Sequence, residues 1–184
     1  MLGAGLIVLI TAGCFSRGDT RSGNDDLARY EQSMLDFPGD GTAIDSGIAK
    51  FAEAYADLTH ADLAERMENL YAEQLFFNDT LHSFDTRAEL VAYLARTGSG
   101  LDESEVEIHQ VLRDGNDVFV RWTMEFRTRA AGRDIHSHSI GMTHLRFDTE
   151  GRVVLHQDFW DSGHALYAHL PFVGFAVRRA RARL

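Results

Sequence analysis

From Val118 to Arg127 the chain alternates strictly. Val118, Val120, Trp122, Met124 and Phe126 fall on one side of an extended strand; Phe119, Arg121, Thr123, Glu125 and Arg127 fall on the other. A wholly apolar strand face must be covered, so this segment predicts a sheet with one buried side, whose other side can meet water or a partner. Ala131-Gly132 supplies a two-residue hairpin turn, because glycine tolerates positive φ. Pairing Ala130 with Arg133 sets Trp122 opposite Gly141 and Val120 opposite Thr143. The buried face then continues through Ser137, Ser139, Gly141, Thr143 and Leu145, while His136, His138, Ile140, Met142 and His144 take the outer face. Large side chains on one strand meet small ones on the next, which leaves a concavity.

A second turn, Asp148-Thr149-Glu150-Gly151, returns the chain. Pairing Phe147 with Arg152 places Val154, His156, Asp158 and Trp160 on the concave face. A one-residue slip would place Val153, Leu155, Gln157 and Phe159 there instead. A four-residue loop around a type I turn favours the first register, which sets a carboxylate and an imidazole among apolar side chains.

Helices precede these strands. Ser46 can cap a helix over Gly47–Leu58 with Ile48, Phe51, Ala52 and Tyr55 on one face. A second helix covers Ala61–Tyr71. Leu75–Asp79 reads as a short strand with Leu75, Phe77 and Asp79 on one face. Thr86 and Glu89 have the capping-box spacing, and the helix they open buries Leu90, Val91 and Leu94 before stopping at Gly98. Glu105–Arg113 is a strand with Val106, Ile108 and Gln110 on one face, and Asp114-Gly115-Asn116-Asp117 turns it back. Helices first and consecutive strands afterwards predict an α+β fold, with helices covering one face of an antiparallel sheet.

The net charge of −10 over 184 residues argues against a general nucleic-acid binder, which needs a basic face. Cys14 is the single cysteine, so no intramolecular disulfide forms. Leu2–Ala12 is apolar or small, shorter than the ~20 residues of a membrane-spanning helix, and suits the core of an export signal. The run into Ala12-Gly13-Cys14 resembles a bacterial lipobox, with Thr11 where leucine is usual; an uncleaved anchor is the alternative. The expected organisation is a signal segment over residues 1–14 with Cys14 lipidated, a polar linker over 15–43 carrying a short helical piece around Leu27–Leu35, and a domain over 44–184.

Several residues invite chemistry. Asp79, sharing a face with Leu75 and Phe77, is a desolvated carboxylate with raised basicity, or else a polar residue that fixes the turn after its strand. Asp158 and His156 are a carboxylate–imidazole pair for acid–base work, or a buried network joining the last strand to the closing helix. Tyr71, Phe77, Trp122 and Trp160 serve core packing and a ligand cradle together. His136 and His138 share a strand face with Glu125, a metal-like pattern, but on the outer face; no metal and no cofactor is expected.

The order of elements, with Tyr71, Phe77-Asn78-Asp79-Thr80-Leu81-His82, the helix from Thr86, the final His156-Gln157-Asp158-Phe159-Trp160-Asp161 and Leu170-Pro171-Phe172-Val173-Gly174, resembles the nuclear transport factor 2-like superfamily in its SnoaL-like (polyketide cyclase-like) branch. The resemblance covers about residue 44 to the end. It implies a cone of curved antiparallel sheet whose helices close an internal pocket, and often a dimer through the outer sheet face. Asp79 matches the general base of ketosteroid isomerase, which belongs to the superfamily, as do many non-catalytic binding modules. Related sequences have proline after that aspartate; Thr80 stands here, which predicts a less rigid loop. The resemblance implies a tethered pocket protein for a small apolar or carbonyl-bearing molecule, transferring a proton without cofactor as an isomerase or cyclase. A binding or dimerising module is the alternative.

Overall fold

The computed structural model describes residues 22–130, 132–169 and 173–183; the expected signal segment with Cys14 lies outside them. Helix α1 (Ser22–Asp36) leads to α2 (Ile44–Tyr55) and α3 (Leu63–Leu70), strands β1 (Tyr71–Asn78) and β2 (Ser83–Thr86), and helix α4 (Arg87–Ser99). Four strands follow, β3 (Glu103–Asp114), β4 (Asp117–Ala130), β5 (Arg133–Phe147) and β6 (Val153–Trp160), and then α5 (Ser162–Ala165), a 3-10 turn (Tyr167–His169) and α6 (Val173–Arg181). The six strands form one curved, unclosed sheet in the order β2-β1-β6-β5-β4-β3. β1 runs parallel to β6, an arrangement that the consecutive-hairpin reading did not contain; the other pairs are antiparallel.

The β4–β5 register is the expected one: Ala130 pairs with Arg133, Trp122 with Gly141 and Val120 with Thr143. Gly132 takes φ +73° in the turn, where a side chain would be strained. Val118, Val120, Trp122 and Phe126 are buried on the concave side. α2 lays Ile44, Phe51 and Ala54, α3 lays Leu63, Met67 and Leu70, and α4 lays Leu90, Val91 and Leu94 over that side. Burial of this surface is the main favourable term in the fold.

Several local expectations change. α2 starts at Ile44, three residues before the expected Gly47, so Ser46 lies inside the helix rather than capping it. Gly47 belongs mid-helix because Phe147 packs flat on it; a β-carbon there would stand 2.3 Å from the ring. Thr86 does precede α4, but its hydroxyl donates to Glu89 at 2.8 Å rather than to a backbone partner, and α4 continues through Gly98 to Ser99. A bulge between Ile108 and Gln110 puts Val111, not Gln110, on the inner side with Val106 and Ile108. The loop before β6 is one residue longer than expected, because the Asp148 carboxylate accepts from the Glu150 and Arg152 amides and closes the turn. Phe147 therefore pairs with Val153 and not Arg152, and an irregularity follows. The net slip is two residues by His156, so His156, Asp158 and Trp160 keep the concave face while buried Val153 replaces Val154.

The helical piece expected near Leu27–Leu35 is fifteen residues long and docks on the convex side of β1, β6 and β5. Tyr30 rests against Phe76, His144 and Phe159, and its hydroxyl donates to His144 Nδ1 at 2.8 Å. His144 Nε2–H donates to Asp117 at 2.6 Å, and the Arg146 guanidinium bonds the same carboxylate. Arg146 also donates to the carbonyls of Met34 and Phe37, at 2.6 and 3.1 Å, which satisfies the helix end. Burial, aided by the Arg146 charge and opposed by Asp117, holds the His144 pKa below its usual range, so the ring is neutral and can accept from Tyr30.

Two outcomes test this account. Gly141→Ala pushes a β-carbon into the Trp122 ring, since the built position is 2.3 Å from Cζ2; the expected cost is about 1–3 kcal/mol in urea unfolding. Arg146→Ala removes the charge-assisted bonds to the end of α1, so hydrogen exchange of α1 amides should quicken about tenfold or more while β4 and β5 stay protected.

Candidate functional site

The concave face and its covering helices leave a cavity of about 490 Å³, lined mostly by apolar side chains. Its walls come from α2 (Phe51, Tyr55), β1 (Phe77), α4 (Tyr93, Leu94), β4 (Trp122, Met124, Phe126), β5 (Thr143), β6 (His156, Asp158, Trp160) and the turn after β6. Of the residues singled out in the sequence, Asp79, Asp158, His156, Phe77, Trp122 and Trp160 all line it. Tyr71 is the exception: it is fully buried behind the wall, and does not line the cavity. β1 begins there directly after α3, so its side chain points into the packed layer under α2.

Asp79 follows β1, in a loop tied down on all sides. Its Oδ1 accepts from the amides of Leu81 (2.8 Å) and His82 (2.7 Å), and its Oδ2 accepts from the Tyr93 hydroxyl at 2.6 Å. Its backbone carbonyl accepts from the Trp160 indole N–H at 2.8 Å. Thr80 sits at φ 71°, an unusual conformation for a residue with a β-carbon. Where related sequences have a proline ring, hydrogen bonds from Leu81, His82 and Tyr93 aim the carboxylate here. Both turn-fixing and cavity-facing roles fall on one side chain. Burial raises the Asp79 pKa, and the nearby Asp158 charge adds to the rise, against the lowering by Tyr93 and the two amides.

Asp158 is the end of a bonded chain running through the wall. The Trp122 indole donates to Thr143 Oγ1 at 2.8 Å, and that hydroxyl donates to Asp158 Oδ1 at 2.5 Å. His156 Nε2 donates to the same oxygen at 3.0 Å. The Tyr71 hydroxyl bonds His156 Nδ1 at 2.8 Å and Tyr55 bonds Tyr71 at 2.5 Å. One proton arrangement that satisfies the whole series has Tyr55 donating to Tyr71, Tyr71 to Nδ1, and Nε2–H to Asp158. Burial raises the pKa of both tyrosines well above the ordinary value, which keeps them as donors. The Thr143 and His156 bonds both go to Asp158 Oδ1, and the carboxylate faces the cavity.

Tyr93, Tyr55 and Thr143 were not singled out in the sequence. Tyr93 does follow Leu90 at three residues, so it shares the buried side of α4. Thr143 was on the concave face in the expected register, but nothing local marks it as a partner of Asp158. On the outer face His136, rather than His138, reaches Glu125, at 2.5 Å. Among the described residues no cluster of three metal-binding side chains occurs.

The charge balance at Asp79 has a measurable sign. Its folded-state pKa is raised, so the folded protein holds more protons than the unfolded chain between the ordinary carboxylate value and the raised one. Stability therefore falls as pH rises through that window, by about 1.4 kcal/mol per pKa unit. Asp79→Asn keeps an acceptor for the two amides and removes the charge. It should melt above the wild type at pH 7, by roughly 2–4 °C per kcal/mol gained, and the gap should close toward pH 4. A variant that melts lower at pH 7 would mark Asp79 as a net structural anchor.

A family model for the SnoaL-like domain matches residues 51–156, more than half of the chain. No curated protein matches. Among solved structures, a protein of Shewanella denitrificans assigned as a SnoaL-like polyketide cyclase superimposes with a TM-score of 0.57 at 19% identity, covering 67% of this chain and 94% of that one. An LEH-like epoxide hydrolase of M. tuberculosis gives 0.54 at 18%, with 67% and 86% covered. A protein of Catenulispora acidiphila with a ketosteroid isomerase-like fold, in complex with trimethylamine, gives 0.55 at 19%, with 65% and 88% covered. At such identities these structures share the fold alone. The family match, the curved sheet and the helix-roofed cavity agree, and the chain belongs to the SnoaL-like domain family.

Proposed function

We propose that the cavity binds a small, largely apolar, carbonyl-bearing molecule and that Asp79, assisted by the His156–Asp158 pair, moves a proton beside its carbonyl without a cofactor, a reaction of the isomerase or cyclase class. The observation that carries this reading is the presence of two carboxylates and a buried imidazole on the wall of one apolar cavity. Asp79, its pKa raised by burial, is the base. In the proposed step Asp79 takes a proton from the carbon next to the carbonyl. The C–H electron pair moves onto the carbonyl oxygen, which accepts a hydrogen bond from the His156 Nε2–H that Asp158 holds in place. Return of the proton to another carbon completes an isomerisation; attack by the enolate on a second carbonyl completes a cyclisation. Apolar walls keep water from competing for the enolate. That this fold accommodates small organic molecules is supported by the trimethylamine held by the Catenulispora neighbour.

A non-enzymatic binding or dimerising module is the second reading, favoured by the outer face. Ile140 and Leu112 are 60% and 51% exposed there, on the part of the sheet that α1 leaves bare. A homodimer through that part is proposed with this reading. Export and membrane anchoring through a lipidated Cys14 are likewise proposed, on the apolar run that precedes it.

Exchange of ketone α-protons in D2O, followed by NMR over a panel of cyclic ketones and enones, separates the two readings. Catalysis predicts exchange that Asp79→Asn slows about 10²–10⁴-fold with no loss of melting temperature. Ketone binding without exchange, unchanged by the substitution, would leave the binding module.

A further inference from the structure

Among the described residues neither Asp79 nor Asp158 has a lysine or arginine partner; their donors are Tyr93, two amides, Thr143 and His156. The cationic or basic lining residues Arg96 and His82 are exposed, and so belong to the mouth. Two carboxylates in one apolar enclosure repel each other, and a neutral or anionic occupant leaves that repulsion in place. A cation relieves it. Asp158, whose carboxylate faces the cavity, offers such a cation an acceptor.

The surrounding rings favour the same occupant. Phe77 lies 4.6 Å from the His156 ring centroid and Tyr55 5.8 Å, so both stand beside the Asp158–His156 pair. Trp122 is bonded through Thr143 to Asp158, and Trp160 follows on the same strand face. Aromatic faces attract organic cations, most strongly where water is excluded. We infer that the molecule held in this cavity carries an ammonium group, protonated or quaternary, seated at Asp158 among Tyr55, Phe77, Trp122 and Trp160. The inference rests on the reading of the cavity as a ligand site. Joined to the proposed reaction, the substrate is an amino ketone whose ammonium sits at Asp158, whose carbonyl oxygen meets His156 Nε2–H and whose acidic C–H faces Asp79.

Two probes of one shape decide it: benzyltrimethylammonium and its uncharged carbon isostere, neopentylbenzene. Their binding to the full chain is read from the fluorescence of Trp122 and Trp160. The cation should bind about tenfold more tightly or better, and Asp158→Asn should erase that preference while the isostere binds as before. Asp79→Asn, which conserves the loop's amide bonds, should weaken the preference too, so the inference does not hang on one variant folding. Equal affinity for the two probes, or a preference that survives both substitutions, overturns the ammonium assignment and leaves the carbonyl chemistry standing. Failure of both probes to bind overturns the assignment and the ligand-site reading together. A clear cation preference with no ketone exchange sinks only the catalytic reading.

Discussion

Trp122 lies across Gly141, its ring where a β-carbon would otherwise stand. From that contact the rest of the concave side follows. A glycine on β5 lets the indole lie flat on the sheet, and its N–H then reaches Thr143 one pair further along. Thr143 hands the interaction on to Asp158 across the next strand. Packing and polar satisfaction are thus met by the same residues, in a low-dielectric wall where an unpaired group would be costly. A slip of either β5 register by one residue would point all of these side chains outward.

The cavity holds its acids at a cost. Asp79 is buried with Asp158 close enough to raise its pKa, and three hydrogen bonds do not fully offset the loss of solvation. Such tension is of no use to a packed core, where an amide or a leucine would serve better. A raised carboxylate in a cleft is a candidate functional group, and the proposed proton transfer would use this one.

The convex side shows a different solution to the same problem. Asp117, His144 and Arg146 are charged or polar residues under α1, and each is paired within one cluster whose last bonds go to the carbonyls at the helix end. Here complementary charges are present together, so nothing is left for a ligand. α1 in turn divides the outer face: the side toward β1 and β6 is covered, and the side carrying Leu112 and Ile140 is open.

Alternation in β4, glycine in its turn and the size mismatch of Trp122 with Gly141 made the central hairpin, the concave side and its register legible in the sequence, because strand periodicity is a local property of the chain. The acidic and imidazole residues of the site were legible by face as well: His156 and Asp158 kept their side even though their pairing slipped by two. What the sequence alone could not decide depended on contacts between distant segments. The parallel seam of β1 with β6 joins residues nearly eighty apart. Whether residues 22–36 hang loose or dock depended on Arg146 and His144, more than a hundred positions away. Tyr71 reads like any aromatic at the start of a strand, and only the layer of α2 above it sends its hydroxyl behind the wall to His156. Periodicity tells which face a side chain takes; which neighbour it meets there is set by how the layers close, and that is a property of the whole fold.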